Sequence, residues 1–159
     1  MKTAIIYYSK HGTTKRVAEM LESKLTVEKT FIDLQIHKSP NIEKYDSIIL
    51  GSPVYAGTPS KIMKNFCMQN IDCLKSKPIG LYVCGMEKDE LKQKEELERA
   101  YPIALIEIAK TKKFLGGEFL FENMNFFERM IVKKIAKTDK NVSAINYENL
   151  DKFVLEFNL

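Results

Sequence analysis

Tyr7-Tyr8-Ser9-Lys10-His11-Gly12-Thr13-Thr14 follows an apolar run, Ala4-Ile5-Ile6, and precedes Val17, Ala18, Leu21 and Leu25. The apolar run predicts a buried strand, and the later spacing predicts an amphipathic helix over 13–25. The quoted residues are then a hydroxyl-rich turn at the start of that helix. Such a turn aims backbone N–H groups and side-chain hydroxyls at one spot, at the positive end of the helix dipole, where anions bind and phosphate is the commonest. Ser9, Thr13 and Thr14 can donate to phosphate oxygens. Gly12 allows a close approach of the backbone.

The same alternation continues down the chain. Lys29–Leu34 reads as a second strand near an edge, and Ser47–Gly51 as a third, fully apolar one. Ser52–Gly57 closes that strand, and Thr58-Pro59 reads as the cap and first residue of a helix with Ile62, Met63 and Phe66 on its apolar face. Pro78–Cys84 is a fourth strand. Glu87–Arg99 is a charged, partly helical, exposed segment, and Pro102 opens a helix to Lys110. Phe114–Phe121 reads as a fifth strand with a bulge or bend at Gly116-Gly117. Asn125-x-x-Glu128 is a capping-box pattern opening a helix to about Lys137, and Tyr147–Phe157 is the terminal helix.

Strands that are apolar throughout and alternate with helices predict a parallel sheet covered on both faces. Five of them predict an α/β three-layer sandwich in the doubly wound order 2-1-3-4-5, as one domain over 1–159. In that order ligands bind beyond the carboxyl ends of the strands, where the winding reverses. Three loops are expected there: Ser9–Thr14, Ser52–Thr58 and Cys84–Glu87.

Ser9, Gly12 and Thr14 match the Ser/Thr-x-Thr-Gly-x-Thr phosphate loop of the flavodoxin family, and His11 departs from it by standing where that family has Thr. The whole chain resembles a flavodoxin-type FMN protein. The resemblance implies FMN as cofactor. Its phosphate would be held by Ser9, Lys10, His11, Gly12, Thr13 and Thr14. Its ring would be held by Ser52, Pro53, Val54, Tyr55, Ala56 and Gly57 on one side and Cys84, Gly85 and Met86 on the other. Tyr55 could stack on the isoalloxazine, and Gly57 could turn its peptide as the ring takes up a proton. For Cys84, a small residue closing a buried strand, packing is the expected role.

Other users of similar folds fit less well. After the first strand there is no G-x-G-x-x-G, and the chain has no Gly-Lys-Ser/Thr. Tyr8-Ser9 and Gly51-Ser52 stand where a receiver domain needs carboxylates, and the first loop has no cysteine for phosphatase chemistry. With two histidines, a His-rich metal site is excluded. Cys67, Cys73 and Cys84 form no C-x-x-C pair, which suits a reducing cytoplasm. The strand-like start predicts no signal peptide, and no apolar run reaches the ~20 residues of a membrane span.

The charge is unevenly placed. Residues 110–140 carry eight basic and four acidic side chains, which accounts for the whole net charge of +4. Small electron-carrying flavodoxins are acidic, so this excess sets the chain apart from them. The Phe114–Lys137 segment is similar to one in the flavodoxin-type protoporphyrinogen oxidases, which pass electrons to a quinone. That likeness implies an FMN-dependent oxidoreductase with a quinone or redox-protein partner. The alternatives are a plain electron shuttle and a flavin-free interaction module. On a helical wheel Phe127, Ile131 and Ile135 align, with Phe126 and Met130 beside them, and Arg129, Lys133 and Lys137 form a parallel stripe. The default expectation is a helix packed into the core with a solvated basic edge. The functional one is contact with an anionic membrane surface, peripheral through 124–137 at the inner face of the membrane, or with an acidic partner. No nucleic-acid recognition motif is present.

Overall fold

Beneath the loops lies a parallel sheet, seen in a computed structural model that describes residues 1–158. In chain order the elements are β1 (Lys2–Tyr7), α1 (Thr13–Lys24), β2 (Glu28–Asp33), β3 (Ser47–Tyr55), β4 (Thr58–Pro59), α2 (Lys61–Gln69), α3 (Ile71–Lys75) and β5 (Ile79–Cys84). They continue as α4 (Glu90–Ala100), α5 (Ile103–Ile108), β6 (Thr111–Phe114), β7 (Gly116–Phe119), a 3-10 turn (Phe121–Asn123), α6 (Phe126–Ala136), β8 (Val142–Ile145) and α7 (Tyr147–Asn158). The main sheet runs β2-β1-β3-β5-β6, all parallel, which is the expected 2-1-3-4-5 order of its five principal strands.

β1, β3 and β5 are buried along nearly their whole length and mostly apolar because both their faces are covered. Successive side chains alternate between two cores. Ile6, Ile48, Leu50 and Leu81 pack with Met63, Phe66, Leu74, Leu97 and Leu105 of α2 to α5. Ile5, Ile49 and Tyr82 pack with Val17 and Leu21 of α1 and Phe153 and Phe157 of α7. Each fully buried Ile, Leu or Phe contributes about 1.5–3 kcal/mol from area removed from water. Register brings Tyr7 level with Gly51 and Pro53 level with Cys84, so the three predicted loops leave neighbouring strands at the same end.

Four expectations are corrected. The fifth sheet strand is Thr111–Phe114, not Phe114–Phe121. Its central Lys112 and Lys113 hide it from a search for apolar runs, yet each lysine has a partner: Ile106 O at 2.7 Å and the Glu156 carboxylate at 2.7 Å. Gly116-Gly117 is an exit and not a bulge; at Gly116 the chain leaves the sheet with φ +76° and pairs antiparallel with β8. Thr58-Pro59 does not start a helix. It folds back on Val54-Tyr55, and Ser60 caps α2 by accepting from Met63 N at 3.3 Å. Glu87–Arg99 is more ordered than its charge suggested, because Asp89 caps α4 and Glu96, Leu97 and Ala100 are buried. Two short elements, α3 and β8, were not anticipated.

Residues 116–145 thus form an insert between the fifth sheet strand and α7. It carries the β7–β8 hairpin, α6 and a small core of Phe121, Met124 and Val132. This insert folds back over the loop that follows β1.

Candidate cofactor-binding site

The turn after β1 is held open by one hydroxyl. Ser9 Oγ accepts from Gly12 N at 3.1 Å and Lys15 N at 3.3 Å. With both lone pairs used, its own O–H remains free to donate. Gly12 adopts φ +97° and precedes the first turn of α1, which has no side-chain cap. Among the described residues, the N–H groups of Lys10, His11, Thr13 and Thr14 have no acceptor. Four free N–H groups and a free hydroxyl at a helix N-terminus form a cradle for a dianionic phosphate. Thr14 is 1 % exposed, and its side chain sits against the Cys84 thiol. Only its backbone N–H is therefore presented to a ligand in this conformation.

The second loop leaves β3 through Ser52, which is buried, Pro53, Val54 and Tyr55. Ala56 and Gly57 follow, both at positive φ and both exposed, with open space around Gly57. Arg99 of α4 donates to Gly57 O at 3.2 Å. The third loop begins at Cys84, whose thiol is buried and pushed up to about 12 by desolvation. Its burial is what the packing role expected of Cys84 requires. Gly85 is tied to the insert through its N–H, which donates to Gly116 O at 3.0 Å, while Met86 is half-buried at the loop's mouth.

Two residues expected to serve the ligand directly are engaged by the protein itself. His11 turns its ring from the cradle towards the insert. Its Nδ1 lies 3.2 Å from Asn123 O, its Nε2 lies 2.8 Å from Glu128 Oε2, and its backbone carbonyl accepts from Asn123 Nδ2 at 2.8 Å. The Tyr55 ring packs on Phe121, Met124 and Val132, with the His11 ring 5.3 Å away and Lys10 Nζ 5.0 Å above its centroid. The Tyr55 hydroxyl is buried without a partner. Burial is also what raises its pKa, with the Glu128 carboxylate adding to the effect.

Sequence reasoning missed the residues that fasten the insert: Asn123, Glu128, Glu118 and Arg16. Only Glu128 left a signal, as the last position of the capping box. The box is half formed, because Asn125 accepts from Glu128 N at 2.9 Å while the Glu128 carboxylate goes to His11 and Lys10 instead. Glu118 is fully buried in β7 and accepts from Arg16 Nη1 of α1 at 2.6 Å. Residues so far apart in sequence carry no local pattern to reveal the pairing.

Glu96 was likewise unforeseen. It lies on α4, 6 % exposed, with Oε2 unpartnered beside Gly85. Desolvation, aided by the Glu87 carboxylate, raises its pKa above the usual carboxylate range. A folded-state pKa above the unfolded value means that the native state binds the extra proton. The titration therefore costs nothing below the unfolded carboxylate pKa, and the penalty grows as pH rises from there to the raised folded value, above which it is complete. Glu96→Gln should raise the thermal midpoint at pH 7.5 and leave it unchanged near pH 4. Melts followed by circular dichroism at both pH values check this, and an equal gain at both would remove the titration account.

With the loops, the insert and the strand order established, comparison with known proteins is informative. The flavodoxin domain matches residues 4–145. The chain belongs to the flavodoxin family. This flavodoxin domain is also similar over its whole length to the protoporphyrinogen IX dehydrogenase [quinone] of Escherichia coli strain K12. The two are 19 % identical over 170 residues that take in 98 % of this chain and 94 % of the relative. Oxidised flavodoxin 1 from Bacillus cereus has the same fold, with TM-score 0.59 and 17 % identity over 99 % of this chain and 97 % of that one. The Streptococcus pneumonia TIGR4 flavodoxin does too, with TM-score 0.55 and 13 % identity over 99 % and 96 %. FMN is the cofactor of the flavodoxin family, and the free donors at the start of α1 fit its phosphate.

Proposed function

We propose that this flavodoxin-family protein is an FMN-dependent oxidoreductase that moves electrons from a reduced small molecule to a quinone, as the name of its Escherichia coli relative describes. The observation that carries the FMN reading is the cradle of four unpaired N–H groups and the Ser9 hydroxyl at the start of α1. The enzyme reading is supported by the full-length likeness to that relative, which runs through the insert and not only through the sheet.

When bound, FMN supplies electron transfer in one- or two-electron steps. The chain supplies the rest. Ser9 and the backbone N–H groups of Lys10, His11, Thr13 and Thr14 would hold the phosphate, with Gly12 shaping the turn through its bond to Ser9. Tyr55, Ala56 and Gly57 on one loop and Gly85 and Met86 on the other border the ring. Ser52, Pro53 and Val54 carry the first of these loops, and Cys84 seats the second in the core. Lys10, half exposed above Tyr55 and 3.6 Å from the Glu128 carboxylate, is the side chain that would have to shift as a ring enters. Glu128 holds His11 aside and so leaves the cradle's N–H groups uncovered. A porphyrinogen substrate rests on the relative's name alone.

A visible spectrum of the purified protein, followed by titration with FMN, tests the cofactor. Flavin bands or saturable uptake are expected. Ser9→Ala removes one hydrogen bond to a charged group, worth ~1.5–3 kcal/mol, so FMN should bind about 10–100-fold more weakly. A protein that stays colourless at high FMN would overturn the reading and favour a flavin-free interaction module. Anaerobic mixing of the FMN-loaded protein with protoporphyrinogen IX and a quinone then separates an enzyme from a plain electron shuttle. Quinone-dependent turnover is expected; its absence, with FMN still bound, leaves the shuttle.

A further inference from the structure

The default expectation for α6, a helix packed into the core, is overturned by what its side chains do. Val132 alone is buried, with Glu128 and Ala136 partly covered on the same inward face. Every residue of the predicted apolar stripe points outward: Phe126 is 71 % exposed, Phe127 75 %, Met130 55 %, Ile131 52 % and Ile135 66 %. No other described helix carries more than two exposed large apolar residues: Ile62 and Met68 on α2, Leu91 on α4, Ile103 and Ile108 on α5, Tyr147 and Leu155 on α7. Scattered ones need no explanation, but five on one 11-residue helix form a continuous patch of the kind that marks an interaction surface.

The charges around the patch choose the occupant. Arg129, Lys133 and Lys137 line one edge, and Lys134 stands within the patch; all are exposed. The acid on the helix, Glu128, faces inward to His11 and Lys10, and Asp139 just beyond it forms one exposed contact with Lys133 at 3.9 Å, which leaves the margin basic on balance. A second copy fits poorly, because a two-fold contact through this face would set these four cations against their own counterparts. Phe and Ile in the middle and Lys and Arg at the margins are what an interfacial helix needs: rings and branched chains enter the acyl boundary, while basic heads stay at the phosphate level on their flexible stems.

We propose that α6 lies flat on an anionic lipid bilayer and docks the protein there through Phe126, Phe127, Met130, Ile131 and Ile135 and the cations beside them. No described helix is long and apolar enough to cross a membrane, so the contact is peripheral. The contacts of α6 tie it to the rest of the chain. Asn125 caps α6, the Arg129 side chain donates to Met124 O at 3.0 Å, and Glu128 links the helix to the loop after β1. This inference is independent of which substrate the protein uses.

Co-sedimentation of the full-length, FMN-supplemented protein with lipid vesicles tests it. Vesicles of phosphatidylcholine with about 30 % phosphatidylglycerol should bind the protein, and phosphatidylcholine alone should bind it far less. Sodium chloride at about 0.5 M should release most of it, since screening shortens the reach of the charges. Neutralising three cations (Lys133→Gln, Lys134→Gln, Lys137→Gln) should weaken binding on the order of a hundredfold. The triple change Phe127→Ser, Ile131→Ser, Ile135→Ser should abolish it. Both sets are solvent-facing, so far-UV circular dichroism and FMN uptake should match the parent and show that the fold is kept. Equal binding to neutral and anionic vesicles, or unchanged binding by either folded variant, would overturn the proposal. So would a wild-type protein that ignores anionic vesicles and instead self-associates through the same three apolar residues.

Discussion

Gly116→Ala should lower stability by about 4 kcal/mol or more, a fall in thermal midpoint of roughly 10 °C for a chain of this size. Two causes combine. The residue adopts φ +76°, where a side chain costs ~1–2 kcal/mol by itself. A methyl there would also overlap the Ala144 carbonyl oxygen and come within 2.9 Å of Asn146 N. Both atoms are backbone, so neither can swing aside, and Asn146 N is already bonded to Leu115 O at 2.9 Å. Gly57→Ala is the internal control. Its φ is +73°, almost the same, but nothing lies within 4 Å of the added methyl. It should cost only the conformational part, ~1–2 kcal/mol. Urea unfolding of the two variants separates strain from collision. Equal losses would show that the β7–β8 contact yields, and that the insert is less firmly seated than this geometry implies.

Arg16→Ala should be the most damaging change at a polar residue, at about 2–3 kcal/mol. The Glu118 side chain is wholly buried, and its Oε1 accepts from Arg16 and from Ser143 Oγ at 3.0 Å. Removing the guanidinium leaves a carboxylate in the interior with one neutral donor. Breaking a buried pair in this way costs ~3–5 kcal/mol, and the half-exposed position of Arg16 reduces that figure through solvent screening. Pairing the change with Glu118→Gln removes the stranded charge. The double variant should therefore recover most of the loss, and the non-additivity in urea unfolding is the measurement. Additive losses would mean that Arg16 acts through the packing of α1 and not through its charge. FMN affinity should fall little in the double variant, because neither side chain is part of the cradle.

How much of this was readable beforehand depended on the range of the interaction. The strand–turn–helix at Tyr7–Thr14 was legible because its apolar run, its hydroxyls and its helical spacing are neighbours in the chain. The cap at Asn125 was legible for the same reason. Thr111–Phe114 was not, since its two lysines look like loop residues until Ile106 and Glu156 are seen to accept from them. The roles of His11 and Tyr55 were read from the company they keep in sequence. The structure shows the insert holding both, from more than a hundred residues beyond His11 and more than sixty beyond Tyr55.

Binary patterning was sufficient for the doubly wound order, because a strand apolar on both sides has to be covered on both sides. Backbone chemistry was sufficient for the phosphate cradle, because a helix N-terminus with a small hydroxyl-rich turn offers donors wherever it sits. Periodicity could not say which way α6 faces. An amphipathic stripe is the same string of residues whether it meets a core or a membrane. Only the finished packing, with the inward face taken by Val132 and Glu128, leaves Phe127, Ile131 and Ile135 outside. That choice belongs to tertiary structure, because it depends on how much apolar surface the sheet has left uncovered, and α1 and α7 on one face and α2 to α5 on the other have already covered it.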